Sequence, residues 1–219
     1  MSEQVVPVIW RGDCLEVLDQ RRLPGEEVWH SYRDSAGVCE AIASMQVRGA
    51  PAIGIAAAYG VVLAALGARD ESDWHGSVER AMDALAGSRP TAVNLFWALR
   101  RMRSSLEGVG SGAEACRVLE MEAVRIHEED AAANRQMDAL AADLIQAQCD
   151  GAIEVLTHCN TGALATGGHG TALGVVRTLR ERDGLSLVHI DETRPWLQGS
   201  RLTAWECMRE GIPCSLNAD

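Results

Sequence analysis

Apolar positions along this chain follow two rhythms, and the change between them falls near residue 150. Before it the spacing is mainly helical. Val38, Ala41, Ile42 and Met45 obey the i, i+3, i+4, i+7 rule of an amphipathic helix, with Asp34 and Ser35 ahead of them as N-cap residues. Pro51 can open the next helix, because its missing N–H is not needed in a first turn. Further helices are predicted over 74–85, 91–106 and 113–148, the last with Met137, Leu140, Ala141 and Leu144 on one face. At the start of the chain, short apolar runs at 5–10 and 27–30 alternate with the turn signals Arg11-Gly12-Asp13 and Pro24-Gly25, so strands or hairpins are expected there.

After residue 150 the rhythm shortens. Residues 152–156, 185–190 and 212–216 read as strands, separated by helical segments at 172–180 and 202–209. The order β-α-β-α-β predicts a parallel, doubly wound sheet. The expected fold class is therefore α/β, with a mostly helical domain at 1–150 carrying a small β element, and a sheet domain at 151–219. Such sheets bind ligands outside the carboxyl ends of their strands. Those ends deliver Cys159, the 191–194 loop and Asp219, which predicts one shared pocket. The third strand has no helix after it, and the expectation is that the sheet is truncated and the chain a fragment.

Composition changes this picture little. The chain is 47% apolar but poor in aromatics, which favours close-packed helices over an all-β fold. A formal charge of −11 argues against nucleic acid or an anionic membrane as partner, while leaving room for a small anion at a helix N-terminus. Seven cysteines without a C-x-x-C pair or secretory leader point away from a disulfide framework or zinc site and toward a reducing cytoplasm. Residues 50–68 contain no charge and are long enough to span a bilayer, but they are mostly Ala and Gly. An interior helix is expected.

Five segments could carry chemistry. Arg48-Gly49-Ala50-Pro51 sets a cation before a helix start, where unpaired N–H groups attract anions, and Arg89-Pro90 repeats the arrangement. Either arginine could equally be a solvated surface charge. Cys159 lies in Thr157-His158-Cys159-Asn160-Thr161-Gly162, directly after a strand; a thiol with pKa near ~8.5 can exchange protons close to neutrality when tuned. His158 is adjacent, but neighbours in an extended segment point apart and no nucleophile elbow is present, so a cysteine hydrolase is not expected. Residues 191–201 are dense in hydrogen-bonding groups suited to a polyhydroxylated ligand, although Asp191 or Thr193 could serve only the turn. Asp219 closes the set as a carboxylate at the end of the third strand.

Together, residues 48–60 (RGAPAIGIAAAYG), 88–95 (SRPTAVNL), 157–166 (THCNTGALAT), 170–174 (GTALG) and 191–206 (DETRPWLQGSRLTAWE) resemble the methylthioribose-1-phosphate isomerase family of methionine salvage. The resemblance implies a helical N-terminal domain, a Rossmann-like C-terminal domain and a homodimer. It also implies an aldose–ketose isomerase of 5-methylthioribose 1-phosphate that uses no metal or nucleotide cofactor. By the same resemblance Arg48, Gly49, Ala50, Arg89 and Gln198 contact substrate, Cys159 assists the transition state, and Asp219 is the proton donor. Around that aspartate the family carries T-D-N-M followed by an Asn-Lys pair, whereas here Asn217-Ala218 precede Asp219 and nothing follows, so the chain by itself is expected to lack competence. Isomerases of ribose 1,5-bisphosphate or 5-deoxyribose 1-phosphate, and the regulatory subunits of the guanine-nucleotide exchange factor for translation initiation, share the superfamily and are the alternatives.

Overall fold

The structure, a computed structural model, describes residues 5–218, so Asp219 lies outside the described residues. The chain folds as two compact units. One comprises residues 8–21 and 28–129; the other comprises, among the described residues, 5–7, 22–27 and 130–218.

The first unit opens with an antiparallel sheet of β1 (Val8–Trp10), β2 (Leu15–Leu18) and β3 (Trp29–Tyr32), in that order. Helix α1 (Ser35–Ala43) comes next, and Asp34 caps it by accepting the Gly37 N–H at 2.7 Å, as the sequence suggested. Then come α2 (Ala50–Gly67), α3 (Trp74–Ser88) and α4 (Val93–Ser105). Helix α5 (Gly112–Gln148) supplies residues to both units.

Helix α2 is the spine of this unit. Side chains on every side of it are buried, from Ile53 and Ile55 to Val62 and Leu63, so the uncharged stretch is an interior helix. Its small residues make that possible. A Cβ on Gly60 would sit 3.1 Å from Val38 and 3.3 Å from Leu85, and one on Gly54 would sit 2.9 Å from the Asn94 carbonyl. Helices α1, α3 and α4 therefore approach α2 more closely than larger residues would permit.

The second unit holds a parallel sheet in the order β4 (Ile153–His158), β5 (Leu185–Asp191), β6 (Cys214–Asn217). Helix α6 (Ala172–Glu181) connects the first two strands and α7 (Ala204–Glu210) the last two. Val188 and Ile190 of β5 pack with Leu173 and Val176 of α6 and with Cys207 of α7. Both helices thus cover the same face. On the other face Glu154, Leu156 and His158 are exposed, so among the described residues the sheet is covered by helices on one side, where the strand order had suggested two. The architecture is α/β, a helical N-terminal part followed by a three-stranded, Rossmann-like parallel sheet.

One amphipathic face turned out differently from its pattern. In α5 the Met137, Leu140 and Leu144 stripe is exposed, while Asn134, Asp138 and Ala142 point inward. Asp138 is taken up by His169, whose Nε2 contacts its carboxylate, and a Cβ on Gly174 would collide with the same group. The buried side here combines the Asp138–His169 pair with Ala142 and Ile145, which pack against Ile153 and Leu179.

Candidate functional site

In the first unit, two helix starts meet around Arg89. Gly49 is the N-cap of α2 at φ +92°, a left-handed conformation suited to glycine, and no side chain caps that helix. Ala92 precedes α4, again without a side-chain cap. The close approach of Gly54 to Asn94 holds the opening of α4 about 7 Å along the axis from the start of α2. Arg89 ends α3 at the same junction, its carbonyl accepting the Ala92 N–H at 3.0 Å. Its Nη1 is buried and has no hydrogen-bond partner among the described residues. A buried guanidinium nitrogen without an acceptor, on the residue three before the Ala92 N-cap of α4, has the chemistry to hold an anion. Arg48 immediately precedes the same turn.

In the second unit, the three strands end in register: His158 pairs with Asp191, and Asp191 with Asn217. Cys159 is the first residue past β4 and adopts φ +64°. For a residue with a Cβ that conformation costs about 1–3 kcal/mol and persists only where surroundings enforce it. The Thr203 hydroxyl donates to the Cys159 carbonyl at 2.5 Å. Next in the chain, Asn160 is buried and its Nδ2 donates to Glu206 Oε1 at 2.8 Å. Glu206, fully buried, also accepts the Ala163 N–H at 2.8 Å and an Arg177 Nη2–H at 2.8 Å. Burial works to lower the Arg177 pKa, but its hydrogen bond to Glu210 and the charges of Glu206 and Glu210 overcome this and hold the guanidinium above its ordinary range.

The loop after β5 is organised by Glu192. Its carboxylate accepts backbone N–H groups from Thr193 at 2.8 Å, Gly199 at 2.9 Å and Ser200 at 3.0 Å, which folds 192–200 into a closed turn. Partial desolvation tends to raise this carboxyl pKa; the hydrogen bonds from Ser200, Thr193 and Gly199 outweigh it and hold the group below the usual carboxylate range. Within the turn, the Thr193 hydroxyl donates to Gln198 Oε1 at 2.7 Å, leaving the Gln198 amide NH₂ as the donor end for a ligand. Asp191 accepts from Asn217 Nδ2 at 3.2 Å, and His158 Nδ1 lies 3.9 Å from the Asp191 carboxylate.

The model of the Initiation factor 2 subunit family matches residues 46–219. The chain belongs to that family. Within it, the chain is 58% identical over all 219 residues to a methylthioribose-1-phosphate isomerase of Pseudomonas syringae pv. syringae, covering 61% of that protein. A Stutzerimonas stutzeri protein of the same name is 53% identical, with the same coverage. Among solved structures, the 5-methylthioribose 1-phosphate isomerase of Pyrococcus horikoshii superposes with a TM-score of 0.91 at 38% identity, over 99% of this chain and 61% of that one. The translation initiation factor eIF-2B subunit delta from A. fulgidus reaches 0.87 at 39% identity, over 98% and 62%. The chain thus spans about three fifths of the length of the curated relatives it matches.

For this member of the Initiation factor 2 subunit family, the sequence-predicted residues fall into two sets. Arg48, Gly49, Ala50 and Arg89 lie in the first unit, at the openings of α2 and α4, and Cys159 and Gln198 lie in the second, past β4 and β5. Sequence reasoning missed Glu192, Thr203, Arg177 and Glu206 as organisers. Their hydrogen bonds reach across 40 or more residues in the case of Glu206 with Asn160 and Ala163, so no local spacing announces them.

Proposed function

We propose that this chain carries the phosphate-binding and thiol parts of an aldose–ketose isomerase that converts 5-methylthioribose 1-phosphate to 5-methylthioribulose 1-phosphate in methionine salvage, working in the cytoplasm as a homodimer. The observation that carries the reading is the buried, acceptor-less Nη1 of Arg89, in the segment that leads into the uncapped start of α4, which suits a phosphate monoester. The identity of 58% over the whole chain to an isomerase of that name, of which the chain covers 61%, supports this choice of reaction.

The anomeric carbon of the substrate bears phosphate, so a free aldehyde cannot form by simple ring opening. Catalysis needs an acid near the ring oxygen and a group that manages the C2 hydroxyl proton, each within hydrogen-bond reach. In this reading Arg48, Arg89 and the first amides of α2 and α4 fix the phosphate and so orient the reacting carbons. Gln198 offers its NH₂ to a sugar hydroxyl. Cys159 assists the transition state, and Asp219 is the proton donor. We assign the phosphate anchor to a domain at 1–150 and the thiol to one at 151–219.

A second reading rests on the A. fulgidus relative named as a translation-factor subunit: a non-catalytic binding protein of the same fold. Turnover assays separate the two. The protein, tested as the 219-residue chain and in a form carried to the length of its relatives, is given 5-methylthioribose 1-phosphate, ribose 1,5-bisphosphate and 5-deoxyribose 1-phosphate. Conversion of the first in preference to the others, lost by about two orders of magnitude or more in Cys159→Ser and Asp219→Asn with the fold intact, is expected. Binding without turnover in the longer form would favour the second reading. Near-wild-type rates in both variants would remove the residue assignments.

A further inference from the structure

Cys159 sits in a backbone conformation that residues with a Cβ rarely adopt, at φ +64°, and one helical segment hydrogen-bonds both to it and to the residues that follow it. Gly199–Thr203 forms a wide π turn that runs directly into α7. Such turns shift the side-chain register of the helix beyond them and are frequent at functional sites. Here the shift brings Thr203 and Glu206, three positions apart and therefore on one helix face, onto the Cys159 loop. Both are fully buried.

The Thr203 hydroxyl has one proton, and that proton goes to the Cys159 carbonyl at 2.5 Å. Its oxygen meanwhile accepts from Asn160 Nδ2 at 3.2 Å. Glu206 takes the next part of the loop, accepting from Asn160 Nδ2 at 2.8 Å, from the Ala163 N–H at 2.8 Å and from the Leu164 N–H at 3.4 Å. Gly162 is where this carboxylate reaches the backbone: a Cβ there would lie 2.3 Å from Glu206 Oε2. Arg177 Nη2 holds the carboxylate from behind at 2.8 Å, so the charge is compensated without solvent. A fully buried carboxylate with so many donors is a fixed template for the loop.

We propose that Thr203 and Glu206 are positioning residues for Cys159: the hydroxyl and the buried carboxylate together enforce its left-handed backbone and so aim its thiol. The proposal rests on the reading that Cys159 takes part in the isomerisation, but the aiming itself can be measured without turnover.

The test is alkylation of Cys159 by iodoacetamide across a pH range, with mass-spectrometric peptide mapping because the chain has seven cysteines. It is run on wild type, Thr203→Val, Thr203→Ser and Glu206→Gln, with thermal unfolding as a control. Thr203→Val and Glu206→Gln are expected to change the Cys159 alkylation rate or its pH midpoint by about fivefold or about half a unit, with Thr203→Ser close to wild type. In the turnover assay Thr203→Val is expected to lower kcat by about tenfold with KM little changed. Folded Thr203→Val protein with the wild-type alkylation profile overturns the proposal. Should Glu206→Gln fail to fold, the Thr203 pair still decides. Wild-type protein that turns over no sugar phosphate, yet shows the alkylation shift, refutes the isomerase reading and leaves the positioning role standing.

Discussion

At the scale of single residues, Cys159 trades stability for position. A left-handed backbone suits glycine, so Cys159→Gly relieves strain while deleting the thiol. We expect this variant to be more stable than wild type by about 0.5–1 kcal/mol in chemical denaturation and to lack turnover. A destabilised Cys159→Gly protein would mean that the thiol packs better than the backbone suffers. How much of this was legible is uneven. Cys159 could be read from the chain because it comes after an apolar strand run and precedes glycines. Its strain could not, because nothing in the residues nearby demands φ +64°; the demand comes from Thr203, far along the chain. Glu206 hides for a similar reason, since a glutamate on a helix normally reads as a solvated face and its burial is made tolerable by Arg177 together with donors from the Cys159 loop.

At the scale of elements, the β-α-β-α-β order and the helices α1 to α5 arise from periodicity and caps, with ends shifted by up to three residues, as where α3 runs to Ser88 and not 85. Periodicity did not say which side of α5 faces inward, because the buried side there pairs Asp138 with His169 and packs the small Ala142 against Ile153 and Leu179, a mixed face that the apolar stripe does not announce. The 192–200 turn likewise depends on one carboxylate accepting three backbone N–H groups, a pattern without a sequence signature. That turn should be acid-sensitive. The folded Glu192 pKa lies below the ordinary 4.5, so its contribution is complete above that value and is lost as pH falls through the folded pKa. Denaturation measured from about pH 5 to about pH 3 should therefore show a steeper loss of stability in wild type than in Glu192→Gln. Equal slopes would mean that the carboxylate does not hold the turn.

At the scale of the whole molecule, a formal charge of −11 repels anions in general, so any anion that binds must do so at a built site. Inorganic phosphate at millimolar concentration is expected to raise the unfolding temperature, in line with binding to the native state alone. Arg89→Gln, which removes the charge from the acceptor-less nitrogen, should abolish most of that rise. An unchanged rise in Arg89→Gln would relocate the anion site. A change of rhythm near residue 150 was visible in the chain, although the two compact units divide at 129/130, inside α5. The inclusion of residues 22–27 with the sheet-bearing unit was not, because it depends on long-range pairs such as Arg209 with Glu27.

Helix α2 has a consequence for biosynthesis. By length and composition it would qualify as a bilayer span, and its packing with α1, α3, α4, the N-terminal strands and α5 keeps it in the interior. On the ribosome α2 emerges before α3 and α4 exist, so for that interval the nascent chain displays a segment that targeting factors and chaperones are built to seize. Substitutions at Gly54 or Gly60, which slow the docking of those helices, are therefore expected to reduce the yield of protein in the cell more than they reduce the performance of the molecules that do fold.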